Sequence, residues 1–158
     1  MGILILISMT ACLALLDIAA KSVIEGYLTR KEERTACQGK IILRKVYNRG
    51  FCMNLLEKKP EVVKYASAYA AVLLTIYQLF TLMRKKHRVR KIGLSLMTAG
   101  AWSNTFDRWL RGYVIDYVGF QTRWEKLTRL TFNLGDFFLG AGSILVMLCT
   151  LFHSGKKK

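Results

Sequence analysis

The sequence predicts an all-α membrane protein built as a bundle of four transmembrane helices. Three observations carry that prediction. Four stretches, 3–24, 62–83, 92–114 and 134–152, are mainly apolar over about eighteen residues or more, the length that reads as a membrane span. Hydrophobic residues make up 53% of the chain, yet its formal net charge is +15. That charge is concentrated outside the apolar stretches, in Arg84–Lys91 and in Lys156–Lys158. A soluble domain of 158 residues could bury a core of its own, but not in apolar blocks of this length. Basic membrane loops account for the charge, so nucleic acid is set aside as a partner.

The positive-inside rule puts Arg84–Lys91 and the lysine tail in the cytoplasm. Because spans alternate, both termini are then cytoplasmic, and the loops 25–61 and 115–133 lie outside. The first of these loops is basic as well, but less dense and interspersed with Glu. Residues 1–158 read as one integral membrane domain, expected to be a monomer.

The first run carries Ser8-Met9-Thr10-Ala11-Cys12, which is similar to a lipoprotein cleavage site. It has no basic residues before the apolar run, and that run continues past Cys12 to Leu16, so it reads as a permanent span. Asp17 and Lys21 stand at i and i+4 with the acid first, the better order for a helical ion pair. Two readings stay open: a pair that lets the helix insert while Lys21 snorkels to the surface, or a direct part in a site. In the long outer loop, Lys40–Tyr47 has strand propensity, Asn48-Arg49-Gly50 signals a turn, and Phe51–Leu56 could return as a second strand. Cys37 and Cys52 share this loop and could pair. Pro60 suits the start of the second helix, which carries no ionised residue from Tyr65 to Met83 and reads as scaffold. In the third span Gly93, Gly100, Ala101 and Ser103 favour close helix contact, as do Gly135, Gly140, Ala141 and Gly142 in the fourth. Gly112 marks where the third helix loosens before Asp116.

The distribution of acids is the most informative feature. The four aspartates, Asp17, Asp107, Asp116 and Asp136, lie in or beside apolar runs, whereas the six acids of the polar segments are all Glu. An acid at membrane depth costs several kcal/mol and marks a functional site by default. The third span runs outward and the fourth returns, so Asp116 and Asp136 can meet at one level. Two adjacent carboxylates cannot both ionise easily; one keeps a proton, which supplies an acid and a base at one pH. Such a pair can activate a water and protonate a leaving amine without metal or cofactor. No HExxH or GxSxG occurs, and neither His87 nor His153 lies within an outer segment, so zinc and serine chemistries find no support. Spacing alone leaves the aspartates divided between this dyad and helix-packing hydrogen bonds or an ion pathway.

The chain resembles the signal peptidase II family in Asp17 with Lys21, in Asn48-Arg49-Gly50, in the run GAWSNTFDRWLRGYVIDY from Gly100 to Tyr117, and in Phe132-Asn133-Leu134-Gly135-Asp136. The resemblance spans nearly the whole chain in order. It implies a membrane aspartyl endopeptidase of the bacterial cytoplasmic membrane, acting among membrane lipids. Such an enzyme removes signal peptides from prolipoproteins by cutting before a diacylglyceryl-modified cysteine. It implies Asp116 and Asp136 as the catalytic pair; Asn48, Gly50, Arg108 and Asn133 around the substrate; and Asp17, Lys21, Asn104 and Asp107 in support. It also implies a small extracytoplasmic β cradle. The sequence departs from the family pattern at Met53 (in place of Phe), Ser103 (Gly), Gly135 (Ala) and Tyr117 (Phe). The reading from another class is a non-catalytic four-span protein, either an ion or proton conduit or a relative that binds lipoproteins without cutting. A conduit needs polar residues along a whole path, and the second span is nearly bare of them.

Overall fold

The computed structural model describes residues 2–30, 32–51 and 56–154. Four long helices, α1 (Ile3–Tyr27), α2 (Pro60–Leu82), α3 (Arg88–Leu110) and α5 (Leu134–Ser154), are joined by a sheet of β1 (Glu33–Ala36), β2 (Ile41–Asn48), β3 (Val114–Phe120) and β4 (Thr131–Phe132), with a single-turn helix α4 (Glu125–Thr128) before β4. The sheet is antiparallel in the order β1-β2-β3-β4. α1, α2 and α5 are long and apolar enough to cross a membrane. α3 has 23 residues, as many as α2, but Arg88, Arg90, Lys91, Asn104, Asp107 and Arg108 make it much more polar.

The packing is inverted relative to a water-soluble bundle. α1, α2 and α5 each pack against α3, whose buried side chains include Ser95, Thr98, Ser103, Asn104, Thr105 and Asp107. Large apolar side chains such as Leu4, Leu15, Tyr69, Phe80 and Leu151 face outward. Polar groups inside and apolar groups outside is the arrangement that hydrocarbon solvent favours, since each buried donor must find an internal acceptor. Gln78 illustrates the point: its Nε2 donates to Thr10 Oγ1 at 2.9 Å and Ser95 Oγ at 3.0 Å, tying α1, α2 and α3 together. Lys91 bends back to donate to the Leu82 and Arg84 carbonyls at the end of α2.

Two glycine pairs bring α3 and α5 together. A Cβ on Gly93 would lie 2.9 Å from the Gly142 carbonyl oxygen, and one on Gly100 would run into the carbonyl of Gly135. Gly140, expected to share this role, borders open space instead. α3 ends at Leu110, and Gly112 at φ +78° turns the chain out of the helix into β3. Asp116 is therefore on a strand and not at the end of a span, and the segment expected as an outer loop holds β3, α4 and β4. The strand expected near Lys40–Tyr47 is β2, and its neighbours among the described residues are β1 and β3; a returning strand was expected at Phe51–Leu56. Most of that stretch, 52–55, lies outside the described residues, and with it Met53 and any Cys37–Cys52 bond.

Gly100→Val is expected to destabilise the protein by about 1–3 kcal/mol or more through overpacking against α5. Gly140→Ala, by contrast, is expected to change stability by less than about 0.5 kcal/mol. Thermal unfolding in detergent distinguishes the two.

Candidate active site

The first turn of α5 sets the position of Asp136. Asn133 precedes the helix, and its Oδ1 accepts from the Asp136 backbone N–H at 2.9 Å, while Asp136 Oδ2 accepts from the Asn133 N–H at 3.1 Å. This is a reciprocal capping box, in which residues three apart satisfy each other's orphan donors. The remaining donor of Asn133, Nδ2, reaches across to Asp116 Oδ1 at 2.7 Å. One asparagine thus holds both carboxylates. Their other oxygens are held as well: Asp116 Oδ2 accepts from Asn48 Nδ2 at 3.1 Å, and Asp136 Oδ1 from Asn104 Nδ2 at 3.0 Å. The sheet delivers Asn48 because β2 and β3 pair Asn48 with Val114 and Val46 with Asp116.

Asp116 and Asp136 line one cavity of about 1040 Å³ with Asn48, Asn104 and Arg108. Its walls are apolar side chains of α2, α3 and α5, among them Leu74, Ala101, Leu139 and Ile144, closed at the sheet end by Val46, Val114 and Phe132. Burial, then the charge of Asp136, pushes the Asp116 carboxyl up to about 7, against the opposing pull of its hydrogen bonds from Asn48 and Asn133. The pair therefore retains a proton close to neutrality. Arg108 donates from Nη2 to the Gly50 carbonyl at 2.9 Å, which draws the Asn48–Gly50 turn to the cavity rim. That turn is closed by Gly50 N–H donating to Asn48 Oδ1 at 3.0 Å. Arg108 Nε is buried with no acceptor among the described residues.

Behind this layer lies a wholly buried charge cluster. Lys21 Nζ donates to Asp17 Oδ2 at 2.9 Å, Asp107 Oδ2 at 3.3 Å, Ser103 Oγ at 3.1 Å and Asn104 Oδ1 at 2.7 Å. Lys21, Asp17 and Asp107 are each 0% exposed, so Lys21 does not snorkel. Its bond to Asn104 Oδ1 fixes which end of that amide faces Asp136. Asp107 pairs with Lys21 of α1 and with Arg111, and accepts from the Ile115 N–H at 3.3 Å. Arg111 extends the cluster to Glu25 Oε2 at 3.1 Å. The site residues expected from the sequence fall in the cavity, its rim or this cluster, except Asn133, expected around the substrate: it is wholly buried, does not line the cavity, and holds the two carboxylates from behind. Arg111 was missed although it stands at i+4 from Asp107, the helical pair spacing that would have found it. Ser103 and Tyr117 were missed as partners of Asp17, and no local spacing announces them.

Apolar helices around a polar interior, with two carboxylates facing one cavity beneath a small sheet, define a multi-pass membrane protein with a buried carboxylate pair. The chain belongs to the signal peptidase II family, whose model, described as Signal peptidase (SPase) II, matches residues 9–152. It is similar to the lipoprotein signal peptidase of Clostridioides difficile (strain 630), at 32% identity over 114 residues, 72% of each chain. It is also similar to that of Fusobacterium nucleatum subsp. nucleatum, at 26% over 146 residues, 92% of this chain and 86% of the relative. Its fold is similar to a bacterial membrane enzyme solved by the in meso method at 2.3 Å, with a TM-score of 0.84 and 20% identity over 99% of this chain and 93% of the other. A second such structure, at 1.9 Å, gives a TM-score of 0.78 at 20% identity, covering 99% of this chain and 96% of that one.

Three of the departures from the family pattern meet at Asp17. Ser103 donates to its Oδ2 at 2.6 Å, and Tyr117 donates to its Oδ1 at 3.2 Å. A Cβ on Gly135 would come within 2.7 Å of the same Oδ2. Burial, then Asp17, pushes the Tyr117 phenol above its ordinary range, which keeps it a donor. None of the three lines the cavity; all three border the charged support instead.

Lys21→Met is expected to cost about 3–5 kcal/mol, because it strands two buried carboxylates. The check is thermal unfolding in detergent. A second expectation concerns Asp116. Its pKa is raised on folding, so the native state binds more protons than the unfolded one, and stability falls as pH rises. That loss accrues from the ordinary carboxyl range up to about 7 and is complete above it. The stability of Asp116→Asn relative to the parent should therefore increase between pH 5 and pH 8, and unfolding scans across that range measure it.

Proposed function

We propose that the protein cleaves prolipoproteins immediately before their diacylglyceryl-modified cysteine, with Asp116 and Asp136 as the catalytic pair. The observation that carries this reading is the shared cavity, where Asn133 holds both carboxylates at the foot of an apolar groove. Membership of the signal peptidase II family supplies the reaction class, an aspartic-type peptidase that removes lipoprotein signal peptides.

In the proposed mechanism a water lies between the two carboxyls. The ionised one takes its proton as the oxygen attacks the scissile carbonyl carbon, and the protonated one donates toward the carbonyl oxygen. The proton gained by the base then passes to the leaving nitrogen as the C–N bond breaks. All four carboxyl oxygens already accept an amide hydrogen, so the pair is preorganised and need not rotate during the reaction. The free Nε of Arg108 suits a substrate carbonyl at the rim, with Asn48 and the Gly50 turn beside it. Asp17, Lys21 and Asp107 act behind them by fixing Asn104.

α3 is the fourth span in this reading. Its 23 residues at 1.5 Å each extend about 35 Å, enough for a hydrocarbon core of about 30 Å. Its polar side chains are shielded because α1, α2 and α5 surround it. The basic α2–α3 connection then faces the cytoplasm with both termini, the sheet and the dyad lie at the outer surface, and the protein acts as a monomer among membrane lipids. The apolar groove suits the acyl chains, each buried CH₂ contributing about 0.8 kcal/mol. A conduit is disfavoured because the aspartates gather at the sheet end, while farther along the bundle Ser95, Gln78 and Thr10 are paired with one another.

Asp116→Asn and Asp136→Asn are each expected to lower turnover of a lipidated lipobox peptide by about 10³-fold or more, with the double variant little worse than either single, since the pair acts as a unit. Activity should follow a bell in pH. The same peptide without its diacylglyceryl group should be cleaved poorly. Turnover by a well-folded single variant, or equal cleavage of both peptides, would contradict the proposal.

A further inference from the structure

A second depression, of about 320 Å³, is lined by Arg30, Glu33, Arg44, Lys45, Val46 and Arg129. A bulge in β2 creates it. The ladder pairs Leu43 with Val118 and Val46 with Asp116, so Arg44 and Lys45 together face the single residue Tyr117. Bulges re-aim side chains and are common beside active sites. Four cations border the depression, and the fold does little to neutralise them. Arg44 spends its donors on Thr131 Oγ1 at 2.8 Å and on the Thr128 and Leu130 carbonyls at 2.6 and 3.0 Å, with Glu33 Oε1 3.6 Å away. Lys45 Nζ donates to the neutral Glu25 carbonyl at 2.9 Å, and the Arg30 guanidinium lies 4.4 Å from the centre of the Tyr47 ring. Arg129 and Glu125 are 3.5 Å apart and both largely exposed, a pairing of small energetic value.

The depression adjoins the active-site cavity, because Val46 and Arg129 line both. The far end of that cavity is apolar and lies among the helices. A substrate whose apolar signal segment and acyl chains occupy that end must lead its remaining chain out past the sheet. The shared wall begins at Val46, directly across the strand pair from Asp116. An extended chain advances about 3.3 Å per residue, so the first few residues beyond the cleaved bond reach the depression.

Resting on the proposed peptidase activity, we infer that this depression is a subsite for the substrate segment just after the modified cysteine, and that it takes an acidic side chain, Asp or Glu. It is a specificity element and performs no chemistry. Attraction in such half-exposed surroundings is modest per charge and weakens with salt.

The test uses the full-length protein in zwitterionic detergent with three diacylglyceryl lipobox peptides that differ only in the three residues after the cysteine: all Asp, all Ser or all Lys. At low salt kcat/KM for the Asp peptide should exceed that for the Ser peptide by about 5–10-fold, carried by KM, with the Lys peptide poorest. The preference should shrink in 0.5 M salt. In Arg30→Gln/Lys45→Gln the Asp-to-Ser ratio should fall toward one; the ratio cancels any general loss of activity, and the single Arg30→Gln, at an exposed side chain, serves if the double variant does not fold. Equal kcat/KM for the Asp and Ser peptides at low salt overturns the inference, as does a ratio unchanged in the variants. A second arm uses vesicles with and without anionic lipid. A variant effect that tracks lipid charge and ignores peptide charge assigns the depression to a headgroup and also overturns it. Failure to cleave any of the three peptides would instead sink the peptidase reading itself.

Discussion

The buried Lys21 ammonium is the group on which the site depends. Removing a cation completely from water is affordable only with close counter-charges and full hydrogen bonding. Lys21 obtains both from Asp17 on its own helix and from Asp107, Ser103 and Asn104 on α3. The requirement fixes how α1 lies along α3. It also orients the Asn104 amide, since the oxygen must face the ammonium and the nitrogen is left for Asp136. A charge outside the cavity thus sets a hydrogen bond to one that lines it.

The second constraint is local. The capping box at the start of α5 defines the Asp136 carboxylate within three residues, and the leftover amide donor of Asn133 then fixes its distance from Asp116. The glycine contacts press this first turn against α3 where Gly100 meets Gly135. Helix capping, helix packing and dyad geometry are therefore one arrangement, and disturbing any of them moves the same carboxylate.

Much of this was legible in the sequence. Long apolar runs marked α1, α2 and α5, and aspartates set in apolar surroundings marked the site, because hydrocarbon tolerates an acid only with partners. The Asn133-to-Asp136 spacing is a local capping signal, and Asp107 with Arg111 is a helical pair. What escaped the sequence depends on chain segments far apart. β3 was hidden because Val114–Phe120 continues the apolar run of α3, and only Gly112 punctuates the change. The partner of β2 on its other edge, β3, could not be found locally, since it lies some seventy residues downstream. The hydroxyls of Ser103 and Tyr117 converge on Asp17 from separate elements, so neither has a sequence neighbour that reveals its role.

The cavity lies between α2 and α5, both of which lean on α3, and its walls there are small or apolar: Ala70, Leu74, Gly140, Ile144. In the proposed membrane arrangement, a cleft between two apolar helices opens sideways, into lipid. Substrate arriving by that route diffuses in two dimensions and is already confined to a layer a few nanometres thick. The concentration that governs encounter is then its mole fraction among lipids, not its amount per litre. Diluting the bilayer with inert lipid at constant bulk concentration would slow such an enzyme as effectively as removing substrate.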